Sequence, residues 1–124
     1  MLKRIILTSL AVIMLVSFCA CGFASEREYY DDIAVELQDK EGVLVIKEWS
    51  FLLGSGAEIY YEYKDGKTVH LGNISCGDDG YCPFKEGNYE VTQNGNDVDI
   101  SYHLSDLPKE DLTAWRKKSF TLPE

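Results

Sequence analysis

Ala57-Glu58-Ile59-Tyr60-Tyr61-Glu62-Tyr63, followed by Lys64-Asp65-Gly66-Lys67 and then Val69-His70-Leu71, decides the fold class of this 124-residue chain. Ala57, Ile59, Tyr61 and Tyr63 fall on one face of a period-2 pattern, and Glu58, Tyr60 and Glu62 on the other. Alternation over this length is the signature of a half-buried strand. Asp-Gly between two such runs predicts a hairpin, because both residues tolerate a positive φ. The return strand then carries Val69 and Leu71 inward and His70 outward.

The same pattern extends in both directions. Val43-Leu44-Val45-Ile46 is a short apolar run rich in β-branched residues, leading to Trp49, Phe51 and Leu53, with Gly54-Ser55-Gly56 as the expected break. Downstream, Tyr89 and Val91 alternate with Glu90 and Thr92 before Asn94-Gly95 turns the chain. Val98, Ile100, Tyr102 and Leu104 face one side of the returning strand, against Asp97, Asp99, Ser101 and His103. Residues 108–118 read as a short helix with proline in its first turn, and residues 119–122 as a last strand. Residues 26–41 fit an edge strand behind a flexible acidic tether, or a helix. The expected architecture is an all-β, small antiparallel sandwich or barrel of about five to seven strands, with a short helical turn near the C-terminus.

The N-terminus reads as an address. Lys3 and Arg4 precede residues 5–20, which carry no charge, and the next charged residue is Glu26. An apolar run behind two positive charges reads as an export signal. Phe18-Cys19-Ala20-Cys21-Gly22 resembles the lipobox of bacterial lipoprotein precursors. The resemblance implies a thioether-linked lipid on Cys21, cleavage before it, and a protein on the outer side of the cell membrane. It divides the chain into a signal peptide (residues 1–20), a lipidated cysteine with its tether or edge strand (21–41), and one β domain (42–124). Two other processing routes are open: cleavage after Ala24 to release a soluble chain, or an uncleaved anchor over residues 5–24.

Charge and cysteines narrow the classes further. Loss of residues 1–20 removes two of the 12 basic residues and none of the 21 acidic ones, which leaves a net charge of −11. So acidic a chain is no nucleic-acid binder, since phosphate neutralisation needs clustered Lys and Arg. With Cys19 lost and Cys21 acylated, Cys76 and Cys82 are left to pair in an oxidising compartment. Their seven-residue ring would contribute about 2–2.5 kcal/mol by restricting the unfolded chain.

Catalytic signals are absent: no nucleophile elbow, no phosphate-cradling glycine loop and no HExxH. His70, Cys76, Cys82 and His103 have the inventory of a zinc site, but their spacing matches no common motif. Asp78 and Asp79, or Asn94, Asn96, Asp97 and Asp99, offer hard oxygens without the pattern of an EF-hand. The chain therefore reads as a non-enzyme with no cofactor or metal. Tyr60 points with Glu58 and Glu62 away from the apolar face, and Asp78, Asp79 and Tyr81 lie in the loop that the disulfide would close. These four are the candidate binding residues for an envelope or extracellular protein or glycan. The other reading is a small acidic inhibitor or immunity protein against a cationic hydrolase or antimicrobial, steered to it by long-range attraction.

Overall fold

A computed structural model describes residues 27–77 and 80–124. Among these residues, eight strands build two antiparallel sheets that pack into a small β-sandwich. The first sheet contains β1 (Glu28–Tyr29), β2 (Ile33–Glu36), β3 (Val43–Phe51), β4 (Gly54–Glu62) and β5 (Thr68–Gly77). Its order is β1-β3-β4-β5, with β2 pairing the same edge of β3 as β1. The second sheet is β6 (Tyr89–Asn94), β7 (Asp97–His103) and β8 (Trp115–Thr121), in that order. Residues 28–36 thus form two short edge strands on β3.

The core is made by the alternation read above. Leu44, Ile46, Ala57, Ile59 and Ile74 of the first sheet meet Val98, Ile100, Tyr102 and Phe120 of the second, all buried. Phe84 is added from neither sheet; the turn between β5 and β6 inserts it between them. Both glycine turns lie where expected, with Gly66 at φ 91° and Gly95 at φ 62°.

Three local expectations are corrected. Gly54-Ser55-Gly56 does not break the chain; it opens β4, and the turn is Leu52-Leu53. The glycines instead make room for aromatic rings across the strand pair. A Cβ on Gly56 would come within 2.5 Å of both the Trp49 ring and the Ile74 carbonyl, and one on Gly54 within 3.2 Å of the Phe51 ring. Second, the helix expected over residues 108–118 is a single 3-10 turn, Leu112–Ala114, capped by the Asp111 side chain. The chain turns extended at Trp115 because β8 pairs β7 from His103↔Trp115 onward. Third, His103 is not on a solvent face but fully buried, against Trp115 at 5.3 Å between ring centres.

Candidate functional site

The hydrogen-bond register assigns each loop to one of two poles. At one pole the chain enters at Arg27, next to the β3–β4 hairpin, since Glu28 pairs with Ser50. The turn carrying Phe84 and the segment between β7 and β8 lie at the same pole. They are linked to each other by His103 N donating to Asn88 O and Lys109 Nζ to Gly87 O. The opposite pole holds the Asp65-Gly66 and Gly95 turns and the C-terminus, with Leu122 N donating to Asn96 O.

Glu48 organises the first pole. The alternation of β3 puts it on the same inward face as Leu44 and Ile46, and it is 1% exposed. An inward carboxylate must find donors. It takes them from the backbone: Phe84 N donates to one oxygen at 2.9 Å and Lys85 N to the other at 2.7 Å. Two successive amides on one carboxylate fix the turn of residues 83–87 against the first sheet. Burial pushes the Glu48 carboxyl above its ordinary value, and the neighbouring Glu86 adds to that. The two amides and the Lys85 charge pull the other way.

The sign of that shift gives a pH dependence. The native state keeps its proton where the unfolded chain has lost it, so this contribution is complete below the ordinary carboxyl range. It declines as pH rises from there through the raised value. Denaturant unfolding of wild type and Glu48→Gln is expected to show a larger wild-type advantage near about pH 4 than near about pH 7. A constant or growing advantage would contradict the shift.

Beside this carboxylate lies an open cleft of about 510 Å³, lined by Tyr29, Tyr30, Asp31, Ile33, Glu48, Phe84 and Lys85. Its walls are ordered by contacts at their far ends. The Tyr30 hydroxyl lies 2.8 Å from Ser50 Oγ, and the Lys85 ammonium sits 4.5 Å from the centre of the Tyr30 ring. The cleft offers an aromatic wall, an exposed carboxylate at Asp31 and a cation at Lys85, which suits a ligand of mixed polar and apolar character.

The candidate residues are not gathered in one place. Tyr60 lies on the outer face of the first sheet, where its hydroxyl donates to Glu58 at 3.2 Å and its ring meets His70 at 5.0 Å. Tyr81 is at the pole, half-buried, its hydroxyl engaged by the Asn88 amide and its carbonyl taking a 2.5 Å bond from Ser55 Oγ. Ser55 is five positions from Tyr60 along β4, roughly 17 Å, and faces inward. Asp78 and Asp79, like Cys21 and the rest of residues 1–26, lie outside the described residues.

Comparison with protein families, curated proteins and solved structures finds no match. The site therefore stands on its own geometry. Among the described residues no group of three His, Cys, Asp or Glu side chains is placed to hold a metal ion. His70 is exposed on the outer face whereas His103 is buried by Trp115, so the two imidazoles do not share a site. Cys76 closes the β5 end of the core, and Cys82 is buried near Glu48 and Tyr30. The expected disulfide is not formed in this structure: Cys82 Sγ donates to Gly80 O at 3.5 Å. Burial pushes the Cys82 thiol up, and the Glu48 charge adds to that, so its reactive thiolate is disfavoured.

Neither Glu48 nor the cleft figured among the sequence candidates. The signal for Glu48 was present, because strict alternation from Leu44 and Ile46 places position 48 inward. Reading residues 43–46 as one continuous apolar run hides it.

Proposed function

We propose that this chain is a non-catalytic binding module, exported and held on the outer side of the cell membrane by a lipid on Cys21. Its ligand, an envelope or extracellular protein or glycan, would occupy the cleft between Tyr29, Tyr30 and Lys85. One observation carries the binding half of this reading. The cleft floor is tied by the two backbone bonds to Glu48, so its walls are set before any ligand arrives and little ordering entropy is lost on docking. The export segment and the lipobox resemblance support the location. The proposal includes a Cys76–Cys82 disulfide formed after export, since two buried cysteines bracketing one loop are expected to oxidise in that compartment.

Two measurements test it. The intact mass of the native protein from its own membrane fraction is expected to show diacylglyceryl-Cys21 and a chain about 2 Da lighter than the reduced form. A photoreactive residue replacing Tyr29 is expected to give one discrete adduct in intact cells, and the same residue at Lys64, on the far pole, none. Adducts of equal yield at both positions would count against the cleft.

The charge of −11 favours one other reading, the acidic inhibitor or immunity protein. An unlipidated chain beginning at Ser25, whose capture of a cationic partner slows steeply as salt rises, would put that reading first.

A further inference from the structure

The β3–β4 hairpin ends in two exposed leucines, Leu52 at 79% and Leu53 at 66%. Turn chemistry does not explain them. The two-residue loops that suit a hairpin need a positive φ at the first or at both positions. Among the described residues Asp39 alone of the non-glycines has one. Leu52 and Leu53 therefore have negative φ, in a turn that most residues can form and that calls for neither leucine, yet both stand in water. Behind them the Phe51 and Trp49 rings, 5.7 Å apart, lie over Gly54 and Gly56, so the tip has a stiff apolar base.

The position of this tip relative to the chain entry is informative. Glu28 pairs with Ser50, and the Arg27 guanidinium stacks 3.9 Å over Trp49, so the chain enters beside the hairpin. From Cys21 to Arg27 is six Cα steps, at most about 21 Å when fully extended. The tip projects two residues past Ser50, roughly 7 Å beyond the entry point. The same pole also carries Leu107 and Leu112; of the other exposed large apolar side chains among the described residues, Tyr29 belongs to the cleft and Val69 lies toward the far pole. Exposed apolar side chains therefore gather where a short tether would hold the domain against a bilayer.

We infer that the hairpin tip of this pole docks on the membrane surface, with Leu52 and Leu53 inserted among the lipid headgroups beside the lipid on Cys21. The cleft, which begins at Tyr29 opposite Trp49, lies roughly 10 Å behind the tip and stays open. The inference rests on the lipid-anchored reading above. A lipid surface fits better than a protein partner because the tether leaves little room for a protein between the tip and the bilayer. Two weak anchors acting together hold a protein more firmly than one. The net charge of −11 opposes anionic lipid, so the contact is apolar and should weaken as anionic lipid is added.

The test uses the full processed chain, purified from membranes, its mass checked for the lipid, and reconstituted in phosphatidylcholine vesicles. Leu52→Cys carries an environment-sensitive fluorophore, with Leu53→Cys as an independent position and Lys64→Cys as the far-pole reference. Cys76 and Cys82 are buried and shielded from the reagent in the native fold. Nitroxide-bearing phosphatidylcholine is expected to lower emission about twofold or more at positions 52 and 53, with little change at 64. Equal quenching at all three positions, or none, on a chain whose mass shows the lipid would overturn the docking and leave the lipoprotein reading standing. A blue-shifted but unquenched tip would mean that protein covers it, which also overturns the docking. A chain without lipid on Cys21 would overturn both.

Discussion

Glu48→Ala is expected to destabilise the domain by about 3–4 kcal/mol, because two hydrogen bonds to a charged group are lost at once. The Phe84 amide is buried, so after the change it has no acceptor and carries its full desolvation cost. For a domain of about 100 residues a loss of that size lowers Tm by roughly 15 °C or more. The informative control is Glu48→Met. A buried ion pair can often be replaced by apolar side chains at little cost, since both charges are removed together. Here the partners are backbone amides, which no substitution removes, so methionine should restore packing and still leave both donors unsatisfied. Glu48→Gln keeps one acceptor and turns an NH2 group toward the other amide, and should fall between wild type and alanine. Thermal and denaturant unfolding check the series. A Glu48→Met variant within about 1 kcal/mol of wild type would show that the carboxylate does not hold the turn.

The sequence made the sheets legible and left much of the pole obscure, for a physical reason. Strand faces repeat with period 2, so Ile59 and Tyr61, or Val98 and Ile100, declare their side from local spacing alone. Asp65-Gly66 and Asn94-Gly95 declare their turns through a backbone conformation that few residues adopt. Burial at the pole instead depends on what arrives from elsewhere. His103 alternates outward along β7 and is nonetheless buried, because Trp115 of the neighbouring strand stands against its ring. Gly54 and Gly56 look like a break until the Phe51 and Trp49 rings are placed across from them. Tyr60 was legible as an outward residue but not as one already engaged by Glu58 and His70. The cleft has no local signature at all, since Tyr29, Glu48 and Lys85 are separated in sequence and meet through register and a turn.

Phe84→Ala is expected to cost about 3–5 kcal/mol, the usual range for emptying a buried aromatic site. Phe84 is the residue through which the turn joins both sheets. Its ring lies 5.2 Å from that of Tyr89 and 6.1 Å from that of Tyr102, while its own amide donates to Glu48 in the opposite sheet. Phe84→Leu keeps most of the volume and should cost less than half as much. The decisive comparison is the double variant Glu48→Ala/Phe84→Ala. If ring and carboxylate hold one turn, releasing it by either route forfeits part of what the other supplies. The double loss should then fall short of the summed single losses by about 1 kcal/mol or more. The same release should open the cleft, since Lys85 follows Phe84 directly and leaves the Tyr30 ring when the turn detaches. Strict additivity in unfolding would mean that the core and the turn are separately secured. In that case the cleft wall at Lys85 would not depend on the packing of Phe84.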